Sequence, residues 1–151
     1  MSAAQLRPAT RADLDPLLAL SAQLNPADRV APRDRLATIL DPILASEQLT
    51  LCVATLDDRV VATCCLNVIP NLTRGGAPCA VVENVVVETA LRGGGLGRQG
   101  LRFALDEAWW RGCYKVLLQT GSRDPRVHRF YAACGFSASE KTGFVARPGR
   151  A

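Results

Sequence analysis

The stretch Val81-Val82-Glu83-Asn84-Val85-Val86-Val87, followed by Arg92-Gly93-Gly94-Gly95-Leu96-Gly97, decides the reading of this chain. The β-branched apolar run, extended to Cys79–Glu88, reads as the longest strand. The glycine cluster is a turn. From about Gly97 to Arg111 the pattern becomes that of an amphipathic helix, with Leu101, Leu105, Ala108 and Trp109 on one face. A strand, a glycine turn and a helix start in that order make an anion site. The first N–H groups of a helix have no internal partner, and the helix dipole adds partial positive charge there. Glycines keep side chains out of the way of an approaching phosphate. The expected ligand is a phosphorylated small molecule.

Working outward toward the C-terminus, Gly112 ends the helix and Tyr114 to Thr120 is the next strand. Asp124-Pro125 supplies an N-cap and a first-turn proline for another helix, ended by Gly135. Phe136 to Arg147 is expected to add one or two short strands. Toward the N-terminus, Pro70–Pro78 is a loop, and Leu49–Leu56 and Val60–Ile69 form a hairpin around Asp57-Asp58. Leu36, Ile39, Leu40, Ile43 and Leu44 mark a helix starting after Pro32, kinked or split at Pro42. Thr10-Arg11-Ala12-Asp13 is a capping signal for a helix carrying Leu14, Leu17, Leu18 and Leu24, broken at Asn25-Pro26. Gln5–Ala9 is a short first strand. The order βααβββαβαβ predicts one α+β domain over residues 1–151. It has a mixed, mostly antiparallel twisted sheet with about four helices on its two faces.

Composition narrows the partners. The 151 residues are 48% hydrophobic and 21% charged, with a net charge of +4. No segment concentrates Lys and Arg, so nucleic acid is not expected. The opening residues lack the apolar stretch of a signal peptide, and no apolar run is long enough for a membrane span. The six cysteines (Cys52, Cys64, Cys65, Cys79, Cys113 and Cys134) form no C-x-x-C, and the single histidine gives no Cys/His cluster. They are expected as buried reduced thiols. That reading is favoured over a metal site or a disulfide framework and points to a cytoplasmic location.

Gly95-Leu96-Gly97-Arg98-Gln99-Gly100 also satisfies the G-x-G-x-x-G dinucleotide pattern. Its context argues against that ligand. The next strand runs into Gln119-Thr120-Gly121-Ser122, with no acidic residue to hold a ribose, and too little chain remains for a doubly wound sheet. A P-loop is excluded because no Lys-Ser or Lys-Thr follows at the required spacing.

The spacing Arg92-x-x-Gly95-x-Gly97 instead resembles the coenzyme A pyrophosphate loop of the GNAT superfamily of N-acetyltransferases. Phe130-Tyr131-Ala132-Ala133-Cys134-Gly135-Phe136 is similar to that family's F-Y-x-x-x-G-F segment. Leu6 to Asp13 resembles its first strand and turn. The likeness covers nearly the whole chain. One departure is that only a short segment follows Phe136, where many members carry a long hairpin that walls the acceptor pocket; a partner subunit would then complete it.

The resemblance implies acetyl-coenzyme A as cosubstrate, no metal, and a small-molecule or peptide amine as acceptor. Transfer requires an amine that has lost its proton, since an ammonium of pKa roughly 10 cannot attack. It also requires donors for the oxyanion and a proton for the departing thiolate. Tyr131 matches the family's proton donor; alternatively it is a buried tyrosine on the stripe Val127, Tyr131 and Cys134. Glu83, a carboxylate in an apolar strand where burial raises proton affinity, is the candidate base, or else it pairs with an arginine or sits at a strand end. By resemblance, Val85, Val86 and Val87 form the segment that pairs with pantetheine through Val85 and Val87. Asn84, a poor strand former, marks either a splay that frees an oxyanion donor or a polar edge position.

Arg92, Gly93, Gly94, Gly95, Leu96, Gly97 and Arg98 form the pyrophosphate loop, in which each arginine either adds charge or is a solvated surface residue. Ser122 contacts the coenzyme or shapes the turn before Asp124. Glu88 is expected as a solvated loop residue and His128 as an exposed helix residue. Phe103 and Trp110 form a second apolar stripe, suited to another helix or to a homodimer contact. Acceptor residues are expected from Leu24 to Leu44 and from Pro70–Pro78. An acyl-coenzyme A binding module without catalysis is the alternative.

Overall fold

A capping box starts the architecture. Strand β1 (Gln5–Pro8) leads into a 3-10 turn at Arg11–Asp13. Asp13 is buried and accepts from the Thr10 N–H at 2.7 Å and from its hydroxyl at 3.0 Å. Arg7 grips the same carboxylate with two nitrogens, at 2.7 and 2.8 Å. The Arg7 bonds are the main cause holding the Asp13 carboxyl down to about 2, against the ordinary value near 4. The pair therefore stabilises the fold above the unfolded value, and that contribution is lost as pH falls from about 4 through about 2. The difference corresponds to on the order of 2 kcal/mol. Asp13→Asn should remove it, leaving an acid-unfolding curve that is flatter between pH 4 and 2 when followed by circular dichroism.

In the computed structural model, which describes residues 3–149, the chain divides into two compact units, one up to Leu118 and one from Gln119 onward. The first holds β1, α1 (Leu14–Leu24), α2 (Arg33–Ala45), β2 (Leu49–Leu56), β3 (Arg59–Ile69), β4 (Cys79–Val87), α3 (Leu96–Trp110) and β5 (Val116–Leu118). The sheet order is β1-β2-β3-β4-β5. Every pairing is antiparallel except β4 with β5, which is parallel. The hairpin between β2 and β3 turns on Asp57 (φ 48°) and Asp58 (φ 62°), a pair of left-handed residues suited to the twist of the strands. The predicted mixed, mostly antiparallel α+β sheet is present, with helices on both faces. Leu14, Leu17 and Leu20 of α1 and Leu40 of α2 pack with Val53, Val60 and Val86 on one face. Cys64 faces the other way, its Sγ 3.8 Å from the Gly100 carbonyl of α3.

Several local expectations are corrected. Helix α2 is not split at Pro42; that proline stands in the last turn, where few backbone bonds are at stake. The buried stripe of α3 is Leu101, Ala104 and Ala108, while Trp109 and Trp110 are both exposed. The second unit holds one helix, α4 (Pro125–Ala133), and the described residues from Phe136 to Arg147 form no strand. Phe144 and Val145 are both exposed there. Among the described residues no disulfide forms, no group of His, Cys, Asp and Glu is arranged to hold a metal, and no helix is long and apolar enough to cross a membrane. Cys52, Cys64 and Cys113 are buried as expected, while Cys65, Cys79 and Cys134 are only half-buried.

Candidate active site

Strand β4 is irregular where the sequence singled out Asn84. Thr63 lies opposite Val86 and Cys65 opposite Glu83, so the two residues Asn84 and Val85 face the single residue Cys64. This is a β-bulge, and Asn84 takes φ 54°, the left-handed conformation that asparagine tolerates better than a β-branched residue. The pairing with β5 stops at Val82. Beyond that point the outer side of β4 has no strand neighbour among the described residues. The Glu88 N–H donates to the Val61 carbonyl at 2.8 Å. By the two-residue alternation of a strand, the backbone groups of Val85 and Val87 then turn away from β3, toward the open side. Val86 is buried in the core, which anchors the segment.

The loop after β4 is held at its root and bare at its tip. Leu91 donates to the Glu88 carbonyl at 2.9 Å, and Arg92 Nε donates to the Val87 carbonyl at 3.1 Å. Gly93 and Gly95 adopt φ 85° and 88°. A Cβ on Gly94 would stand 3.3 Å from the Leu91 carbonyl. Gly95 is the N-cap of α3, so the N–H groups of Leu96, Gly97 and Arg98 open the helix without intrahelical partners. Arg98 is exposed and makes no ion pair among the described residues. An apolar recess under the first turn of α3 is lined by Ala62, Cys64, Val85, Val87, Gly97 and Gly100. The first unit therefore brings Glu83, Asn84, Val85–Val87 and Arg92–Arg98 into one continuous strand and loop.

Two carboxylates differ from expectation. Glu83 is exposed and not buried as expected, because β5 no longer covers β4 at that position. It makes no ion pair among the described residues, which removes the arginine-paired reading. Glu88 is not a solvated loop residue. Its Oε1 pairs with Arg59 Nη1 at 2.9 Å, and its Oε2 is buried without a hydrogen-bond partner. Sequence spacing also missed Gln23 of α1, whose Oε1 accepts from both the N–H and the hydroxyl of Thr89, at 2.9 and 3.0 Å. Its partner lies 66 residues away, so no local pattern signals it.

Tyr131 and Ser122 belong to the second unit. Asp124 caps α4, its Oδ1 accepting from the Arg126 N–H at 2.9 Å. Ser122 Oγ accepts from the Asp124 N–H at 3.2 Å, which gives it the turn-shaping role and leaves its hydroxyl proton to donate elsewhere. His128 is exposed, with Nε2 2.7 Å from the Ser122 carbonyl. Tyr131 packs its ring beside Phe130 (centroids 5.1 Å apart) and edge-on to Phe136 (6.4 Å). Burial, with a smaller contribution from Cys134, pushes the Tyr131 phenol above its ordinary value, so it remains protonated through neutral pH.

Comparison with known proteins agrees with this arrangement. The model of the acetyltransferase (GNAT) family matches residues 17–136. A putative acetyltransferase from Agrobacterium tumefaciens str. C58 is 44% identical in sequence, with a TM-score of 0.91 over 95% of this chain and 99% of its own. A probable glucosamine 6-phosphate N-acetyltransferase 2 from Oryza sativa subsp. japonica is 42% identical over 80 residues, 53% of this chain and 46% of the rice protein. The chain spans about half the length of the curated relatives it matches. An aminoglycoside N-acetyltransferase AAC(6')-Iy solved in complex with CoA shares the fold, with a TM-score of 0.81 at 19% identity, covering 97% of this chain and 96% of that one. The bulged strand, the glycine loop and the extent of these matches lead to one conclusion: the chain belongs to the GNAT family of acetyltransferases.

Proposed function

We propose that this chain is an N-acetyltransferase that moves the acetyl group of acetyl-coenzyme A to a primary amine by direct attack, with both substrates held together. The observation that carries this reading is the break in β4. A bulge at Asn84 and the end of β5 pairing leave backbone donors and acceptors facing outward, directly before a glycine loop that opens a helix. The loop Arg92–Arg98 suits a pyrophosphate, because the N–H groups of Leu96, Gly97 and Arg98 open the helix without intrahelical partners and no side chain stands between Arg92 and Leu96. Val85 and Val87 offer main-chain groups to the pantetheine arm, and Val86 fixes their height. Ser122 has a hydroxyl proton left to donate to the same ligand.

The chemistry follows in order. The amine nitrogen attacks the thioester carbonyl, and the N–H groups at the Asn84–Val85 bulge stabilise the oxyanion. As the carbon–sulfur bond breaks, Tyr131 gives its phenolic proton to the thiolate. The proton that the ammonium must lose before it attacks leaves to Glu83 through water, an arrangement suited to an exposed carboxylate, and the proton released by the nitrogen after attack leaves through the same water. The amino sugar phosphates for which the curated relatives are named are the first acceptors to try.

The test is release of free thiol from acetyl-coenzyme A in the presence of a panel of amines beginning with glucosamine 6-phosphate. Turnover with at least one amine is expected; coenzyme A binding without turnover on any of them would contradict the proposal. In the same assay Glu83→Gln should lower kcat/KM by on the order of 10²-fold and flatten the acidic side of the pH–rate profile. An intact profile would assign proton removal to solvent alone.

A further inference from the structure

The root of the glycine loop is held from outside by two side chains. Arg59 of β3 takes the Glu88 carboxylate at 2.9 Å. Gln23, in the last turn of α1, takes both donors of Thr89 on one oxygen. Thr89 begins the 3-10 turn Thr89–Leu91, so its N–H has no acceptor within that turn, and Gln23 supplies one from another element. The next turn of backbone closes on this point, with Arg92 donating to the Thr89 carbonyl at 3.4 Å. After Arg92 come three glycines with no side chain to tie them down. The placement of the loop thus depends on its root.

We infer that Gln23 is a positioning residue for the cofactor loop, acting through Thr89 to set where the Arg92–Gly97 backbone meets the coenzyme. The inference rests on the reading of that loop as a coenzyme A site. It also joins the two substrates, because α1 ends at Leu24, where the segment expected to supply acceptor contacts begins. Gln23 touches neither reacting atom, so its effect belongs in cofactor affinity and not in the chemical step.

The experiment uses the full chain and coenzyme A itself as the probe, by titration calorimetry, alongside steady-state kinetics with acetyl-coenzyme A. Gln23→Met keeps length and removes the acceptor. Its Kd for coenzyme A and KM for acetyl-coenzyme A should rise about 3- to 10-fold with kcat unchanged, the scale of one or two lost hydrogen bonds. Thr89→Val should give part of that rise, Thr89→Ser should restore the wild-type value, and the double variant Gln23→Met/Thr89→Val should be no worse than Gln23→Met alone. An unchanged Kd in Gln23→Met, a lower kcat at constant KM, or additive effects in the double variant would each overturn the inference. Thr89→Val carries the test if Gln23→Met fails to fold. No coenzyme A binding by the unaltered protein would overturn the loop reading, and this inference with it; normal binding that Gln23→Met and Thr89→Val leave unchanged would overturn the inference alone.

Discussion

Tyr131→Phe should leave the affinity for acetyl-coenzyme A within about 2-fold of wild type and lower kcat by on the order of 10²-fold, the usual contribution of a positioned proton donor. The substitution is nearly isosteric. The ring keeps its neighbours Phe130 and Phe136, so a lost rate reports the hydroxyl and not the packing of α4. The pH dependence carries the sign of the effect. A donor must be protonated to act, and burial pushes this phenol above its ordinary value near 10. The limb that Tyr131 governs should therefore be a fall on the far alkaline side of the wild-type profile, and the variant should lack that fall. Equal turnover by the two proteins across the pH range would take Tyr131 out of the mechanism.

What the sequence revealed and what it concealed divide by range. Local signals were legible. The residues Asp57-Asp58 marked a hairpin turn, Thr10 to Asp13 a capping box, and the glycines a strand-to-helix turn; all three are present. Even the bulge was foreshadowed, because Asn84 is the poorest strand former within the run from Val81 to Val87. Glu83 was misread because apolar neighbours suggest burial on both sides, and nothing local says that β5 ends its pairing at Val82. Trp109 was misread through phase. Eight residues at about 100° each place it roughly 80° from Leu101, at the edge of a stripe centred on Ala104 and Ala108. The links from Gln23 to Thr89 and from Arg59 to Glu88 join residues far apart in the chain, which only the folded sheet brings together. Strand formation after Phe136 failed as a prediction for a related reason: β propensity in Phe144 and Val145 makes a strand only where a neighbour offers a ladder.

Gly95→Val should raise the Kd for coenzyme A by on the order of 10- to 100-fold, through two effects that act together. The first is conformational. Gly95 sits at φ 88°, where a β-branched residue is strained by about 1–3 kcal/mol, so the loop would shift to relieve it. The second is steric. Gly95 caps α3, and a branched side chain there stands beside the N–H groups of Leu96, Gly97 and Arg98 that the pyrophosphate needs. Gly95→Ala separates the two, since its single methyl meets nothing closer than Gln99 Nε2 at 4.0 Å and keeps most of the strain with little of the obstruction. Its loss of affinity should be the smaller one. Thermal stability should change modestly in both, because the buried residues of α3 (Leu96, Leu101, Ala104 and Ala108) hold the helix on the sheet whatever its cap. The kcat measured at saturating acetyl-coenzyme A should stay near wild type, since neither substitution alters the Asn84 bulge or removes a side chain proposed to move a proton. A Kd that stays within 2-fold in Gly95→Val would mean that the phosphates are held elsewhere, and the reading of the glycine loop would fall with it.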